Sequence, residues 1–283
     1  MTIVESIILG IIQGITEFLP ISSTGHLTLA GKLLGLISDS HPERWTSFIA
    51  VIQLGTLAAV LIYFREDIKN ILAAFIRENA SELRCYREQS LNSRLGWWII
   101  IGTIPVVVVG LLFKHQIEGV FTKNLYVIAV SLIALAVLLA VAEKVASHKK
   151  GISELGWLDA AVVGIAQAFA LIPGSSRSGT TITGGLFMGM NRETAARFSF
   201  LLSIPAVFAS GLLELYGAVK AGIDSTGAAN YAVATVVSGI SGYWAIDFLL
   251  KYLRNNTTFL FVYYRIALGV LILGLLFTDR IMP

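Results

Sequence analysis

A single cysteine, Cys85, in 283 residues excludes a disulfide within the chain and any metal site built from several thiolates. Charge is equally scarce. Asp, Glu, Lys and Arg make up 14% of the chain, against about 25% in soluble domains. The net charge of +3 is small, and no basic stretch is interleaved with aromatics, so a nucleic-acid partner is not expected. There is no Gly-x-x-x-x-Gly-Lys-Ser/Thr loop, which argues against a nucleotide-driven machine. Near the N-terminus, Glu5 stands where a secretory leader carries basic residues, and no small-residue cleavage site follows, so no leader is expected.

What the chain does have is apolar sequence: 55% hydrophobic residues and a mean hydropathy of +0.76. Six stretches are long enough to span a bilayer, at roughly 46–64, 97–113, 125–142, 198–217, 231–250 and 261–278. Two more, 3–37 and 157–190, are apolar but broken by Pro, Gly, Ser and Thr, and read as re-entrant helix-loop-helix units. The expected fold is therefore an all-α polytopic membrane protein, one integral domain made of two repeats, about 1–145 and 155–283. Each repeat is a re-entrant unit followed by three transmembrane helices. An odd number of spans per repeat makes the second copy insert upside down, giving inverted topology. Pro105 and Pro205 are expected to kink their spans, and the small residues from Gly239 to Gly242 to pack helices closely.

The distribution of Lys and Arg gives an orientation. With 65–96 inside, the segments 143–156, 192–197 and 251–265 fall on the same side, carrying fourteen basic residues, Arg265 among them. Six lie on the other side: Lys32, Arg44, Lys114, Lys123, Lys220 and Arg280. That asymmetry places both termini outside. Ile68, Ile71, Leu72, Phe75 and Ile76 recur at helical spacing, as in an amphipathic helix lying on the inner surface.

Two stretches are internal copies. One runs Gly10, Gln13, Glu17, Pro20 and then Ser22-Ser23-Thr24-Gly25-His26; the other runs Gly164, Gln167, Pro173 and then Ser175-Ser176-Arg177-Ser178-Gly179. Both put polar groups at membrane depth, which marks them as functional candidates. The hydroxylated cluster after each Pro suits a helix N-cap, and a helix N-terminus attracts anions. Ser23 and His26 lie one turn apart, a nucleophile beside its base, or else a cap and a satisfied histidine. Glu17 needs a partner, a metal or a proton, and Gln13 shares its face. Arg177, with glycines and hydroxyls around it, suits a bidentate phosphate contact; the alternative is a salt bridge to Glu17 or a lipid headgroup contact. Two half-helix N-termini meeting near the midplane fit phosphate-ester or diphosphate chemistry. The competing reading is a transporter or flippase that binds a phosphorylated lipid without cleaving it.

These residues resemble the undecaprenyl-diphosphate phosphatases of bacteria, also called bacitracin-resistance proteins. Gln13-Gly14-Ile15-Thr16-Glu17 matches the family's acidic motif and continues into Phe18-Leu19-Pro20-Ile21-Ser22-Ser23-Thr24-Gly25-His26. Pro173, Gly174, Ser176, Arg177, Ser178 and Thr181 match Pro-Gly-x-Ser-Arg-Ser-x-x-Thr. Where many members carry a first Glu, this chain has Gln13, leaving one carboxylate.

The resemblance implies hydrolysis of undecaprenyl diphosphate to the monophosphate, with Mg²⁺ or Ca²⁺, on the outer face of the bacterial cytoplasmic membrane. That step recycles the carrier for cell-wall synthesis and confers bacitracin resistance. The roles that follow are Ser23 as nucleophile with His26 as base and then acid, and a directly nucleophilic His26 as the alternative. Glu17 orients His26 or holds the metal. Arg177 binds the diphosphate. Ser22, Thr24, Gln13, Ser176, Ser178 and Thr181 contact substrate. The expected partners are the isoprenyl diphosphate, membrane lipids and, compatibly, a second copy of the chain in a homodimer.

Overall fold

The computed structural model of the chain describes residues 1–38, 40–220, 222 and 225–282. The described residues form helices and connecting turns. In chain order the α-helices are α1 (Ile3–Phe18), α2 (Ser23–Leu33), α3 (Pro42–Tyr63), α4 (Arg65–Ile76), α5 (Leu91–Leu112), α6 (Lys114–Glu118), α7 (Leu125–Val145), α8 (Trp157–Phe169), α9 (Arg177–Phe187), α10 (Arg192–Lys220), α11 (Ser225–Asn255) and α12 (Phe259–Phe277). Local chemistry starts several of them. Thr2 and Glu5 exchange capping bonds at α1. Pro42 opens α3, and Asn124 accepts from two first-turn N–H groups of α7.

Six helices, α3, α5, α7, α10, α11 and α12, are long and apolar enough to cross a membrane, making this a multi-pass membrane protein. They coincide with the six apolar stretches of the sequence. Helices α10 and α11 run well past the apolar windows, to 29 and 31 residues, because charged turns continue both helices. Pro105 and Pro205 lie inside α5 and α10, and both helices continue through them.

The two broken segments are matched helix pairs. A loop at Leu19–Ser22 separates α1 from α2, and one at Ala170–Ser176 separates α8 from α9; α2 and α9 are both 11 residues long. Helix α1 packs along α11, and α8 along α5. The Gly that opens each motif copy sits at these contacts. A Cβ on Gly10 would lie 2.7 Å from the Ala234 carbonyl of α11, and one on Gly164 would fall on Gly102 of α5. Only glycine allows backbones so close. The Gly239–Gly242 run serves the same purpose, with Gly239 against Gly55 and Gly242 against Phe18.

Two basic residues are not where the charge distribution put them. Arg265 is not at an aqueous surface: it is fully buried, since backbone carbonyls surround it. Lys123 is also buried, at 4% exposure, bonded to Thr46 and to the Gly119 carbonyl. Setting both aside leaves thirteen basic residues against five, so the asymmetry persists. Helix α4 docks Ile71, Ala74 and Phe75 toward the protein, with Phe75 edge-on to Trp97 of α5, while Leu72 and Ile76 stay exposed.

Candidate active site

The loops before α2 and α9 deliver the site. Each helix starts from a serine in a strained conformation: Ser22 at φ 76° and Ser176 at φ 67°. Such positive-φ backbone at a non-glycine residue costs on the order of 1–3 kcal/mol and persists only where surroundings enforce it. Each serine caps its own helix, Ser22 Oγ accepting from Gly25 N–H at 3.2 Å and Ser176 Oγ from Gly179 N–H at 3.1 Å. The two copies thus share a backbone as well as a sequence pattern. Gly174, at φ 87°, has no room for a side chain, because a Cβ there would fall on the backbone of Ile128 in α7.

Arg265 of α12 clamps both loops. Its guanidinium donates to Pro20 O (3.5 Å) in one loop and to Gly174 O (3.4 Å) and Ser175 O (2.9 Å) in the other, and to Leu132 O (3.2 Å) of α7. Sequence reasoning missed this residue by treating it as the end of an interfacial segment. The usable signal was an Arg six residues into the apolar run of α12, a costly place for a charge.

The strained caps make Ser23 and Arg177 the first residues of α2 and α9, at equivalent positions of the two motif copies. They converge on Glu17, near the end of α1. Ser23 Oγ donates to Glu17 Oε2 at 2.7 Å, and Arg177 Nη2 to Glu17 Oε1 at 2.7 Å. Gln13 Nε2 adds a third donor to Oε2 at 2.9 Å. The Glu17–Arg177 salt bridge is the alternative the sequence had left open. It leaves Arg177 Nε without a protein partner.

His26 is held elsewhere. Its Nδ1 meets Ser22 O at 2.7 Å and its Nε2 meets the Tyr264 hydroxyl at 2.6 Å. A carbonyl on Nδ1 requires the proton there, so Nε2 accepts from Tyr264 in the neutral ring. With both nitrogens engaged, His26 is not paired with Ser23, and Glu17 does not orient it. Glu17 takes the position beside Ser23 that the sequence reading gave to His26, because a strained Ser22 turns Ser23 toward α1.

The remaining hydroxyls divide. Ser178 donates to Glu17 O (3.3 Å) and Leu19 O (3.0 Å), tying α9 to the first loop. Thr181 meets Ser199 Oγ at 2.6 Å and Arg177 O at 2.7 Å. Ser22 and Ser176 cap. Thr24, by contrast, lines a cavity of about 410 Å³, together with Glu17, Arg177, Thr28, Trp45 and Gln167. Ser23 does not itself line the cavity and is linked to it through its bond to Glu17. The cavity extends between α3, α5 and α10 to Thr46, Lys114, Lys123 and Glu214, at the end of the bundle away from 65–96. Its size suits a small-molecule headgroup.

For a divalent cation the donor set is narrow. Among the described residues no three His, Cys, Asp or Glu cluster. Gln13 is fully buried and its Oε1 lacks a hydrogen-bond donor, beside Glu17. One carboxylate plus one amide oxygen fits an ion whose other ligands are substrate phosphates and water.

Residues 6–271 match the family model described as Bacitracin resistance protein BacA. The chain belongs to this family. It is 56% identical to the undecaprenyl-diphosphatase of Syntrophobacter fumaroxidans over 284 residues, covering 99% of this chain and all of the relative. The undecaprenyl-diphosphatase of Chlorobaculum tepidum is 49% identical over the full length of both chains. That of Myxococcus xanthus is 50% identical, over all of this chain and 92% of the relative. Membership of the BacA family over nearly the whole sequence means the site above lies inside the matched region.

Proposed function

We infer that the chain hydrolyses undecaprenyl diphosphate to undecaprenyl phosphate and inorganic phosphate, recycling the lipid carrier for cell-wall synthesis and conferring bacitracin resistance. The observation that carries the reading is the convergence of a serine hydroxyl and an arginine on one buried carboxylate in a cavity among membrane helices.

Glu17 accepts the Ser23 proton as Ser23 Oγ bonds to the terminal phosphorus. The bridging P–O bond breaks, and the lipid monophosphate leaves, taking that proton from Glu17. Water then attacks the phosphoserine, giving its proton to Glu17, which returns it to Ser23 Oγ as inorganic phosphate departs. Arg177, through its free Nε and the fork it shares with Glu17, holds the phosphate and offsets transition-state charge. The unpaired first-turn N–H groups of α2 and α9 add positive potential at the same place. Thr24 contacts the headgroup from the cavity wall. Ser22, Ser176, Ser178 and Thr181 shape the loops that present it. His26 fixes the Ser22 carbonyl and reaches the reacting atoms only by releasing one of its two bonds. Mg²⁺ or Ca²⁺ would be held by Glu17 and Gln13 Oε1, and bound there would supply Lewis-acid neutralisation of phosphate charge.

The reading extends to topology. Helices α1 and α8 each pack on the second spanning helix of the opposite half, α11 and α5, and the two loops carry matching strained caps. That reciprocity supports two inverted repeats, about 1–145 and 155–283, each with a re-entrant pair. Basic residues concentrate at the 65–96 end, which supports a cavity opening on the outer face of the cytoplasmic membrane. The functional unit is a monomer or a homodimer, distinguished by mass measurement in detergent.

Phosphate release from undecaprenyl diphosphate by purified protein in detergent tests the function, because no transport occurs there. Stoichiometric phosphate is expected. Tight binding of the lipid without release would instead indicate a carrier.

A further inference from the structure

The two motif copies differ at one position that leaves a buried amide without a partner. In the first copy Gln13 bonds Glu17, four residues on. In the second, the residue four on from Gln167 is Leu171, which offers nothing to bond. Gln167 is 1% exposed, yet neither Nε2 nor Oε1 has a protein partner, and the residue borders the same cavity as Glu17 and Arg177. Leaving such a group unpaired costs about 1–3 kcal/mol, so an amide kept here is expected to bond something that enters the cavity. Leu171 also fixes a direction. It is shared with a neighbouring cleft of about 690 Å³, walled by Val109, Phe113, Ile165 and Phe169 and almost wholly apolar. A lipid with its terminal phosphate at Glu17 and Arg177 and its hydrocarbon in that cleft carries its inner phosphate past Gln167.

We propose that Gln167 binds the phosphate that stays on the isoprenyl chain, donating Nε2–H to it, so that the site recognises an isoprenyl monophosphate as well as the cleaved group. The proposal rests on the phosphatase reading of this site. Gln167 is thus a ligand of the leaving group and neither the nucleophile nor the proton acceptor.

The test is inhibition of phosphate release by two ligands, undecaprenyl phosphate and inorganic phosphate, in the wild-type protein and in Gln167→Met and Gln167→Asn. Met fills the volume without an amide; Asn keeps the amide but withdraws it, and serves where Met fails to fold. In either folded variant, inhibition by undecaprenyl phosphate should weaken about tenfold, the effect of removing one buried hydrogen bond to a charged group, while inhibition by inorganic phosphate stays within about twofold. KM for the diphosphate should rise more than kcat falls. Unchanged inhibition by undecaprenyl phosphate in both variants overturns the proposal, as does an equal loss for both ligands, which would put Gln167 on the terminal phosphate. Wild-type protein that releases no phosphate would sink the phosphatase reading itself, a separate outcome.

Discussion

Ser23 and Arg177 open α2 and α9 at equivalent positions, and they meet on the two oxygens of one carboxylate, Glu17, each at 2.7 Å. Two copies of one motif thus differ at a single helix position, a hydroxyl in one and a guanidinium in the other. The carboxylate that joins them exists in the first copy alone, since its counterpart is Leu171. The arrangement is polar, buried and held by strained caps, which is the condition for a preorganised site.

Coupling between Ser23 and Glu17 follows directly. Ser23→Ala and Glu17→Gln should each lower kcat/KM at least about a hundredfold, as expected for loss of a nucleophile or its base. The double variant should be within about threefold of the worse single one, because residues acting as a unit are not additive. Ser23→Ala with His26→Ala should behave differently, with losses that multiply. Rates of phosphate release on variants matched for thermal unfolding measure both cycles, and an additive Ser23–Glu17 pair would refute Glu17 as the base.

Arg177 is expected to need its planar fork. Nη2 holds Glu17 while Nε has no protein partner. Lys keeps the charge but reaches Glu17 or a phosphate, one at a time. Arg177→Lys should lose at least about tenfold in kcat/KM, near 1.4 kcal/mol. Near-normal turnover in a folded Lys variant would show that charge alone is used.

Much of this was legible from residue order. Six spans, two broken apolar segments and the paired motifs are written in hydropathy and in the placement of Pro, Gly and Ser. The convergence on Glu17 was only half legible. Helical spacing puts Ser23 and His26 on one face, but spacing cannot report that Ser22 adopts positive φ and turns the Ser23 hydroxyl toward α1. Nor could it show that Tyr264, 238 positions away, takes His26 Nε2. Arg265 was hidden for a related reason. A charge within two turns of the start of a span reads as interfacial, and its true partners are backbone carbonyls, which carry no sequence signal.

Orientation can be checked at Cys85, the one thiol in the chain, which is exposed in the 65–96 segment. If that segment faces the cytoplasm, an impermeant maleimide applied to intact spheroplasts should leave Cys85 unlabelled, and lysis should make it react. Labelling before lysis would invert the topology and move the cavity mouth to the inner face.

Arg265 should be the most sensitive structural position. It is fully buried, and its guanidinium serves four carbonyls drawn from α7 and both loops. Arg265→Met removes the donors and strands those oxygens, each worth about 1–3 kcal/mol when left unpaired, so a loss of at least about 3 kcal/mol is expected. Arg265→Lys keeps a positive charge but offers three donors from one point, too few and too compact to bridge Pro20 with Gly174 and Ser175. The Lys variant should therefore recover part of the unfolding temperature while phosphate release stays depressed, because the loops that aim Ser23 and Arg177 are no longer held at one spacing. Thermal unfolding followed by tryptophan fluorescence, read beside kcat/KM, separates these effects. A Lys variant with wild-type activity would mean that the loops hold their geometry without the clamp, and that the strained caps at Ser22 and Ser176 suffice to position the site.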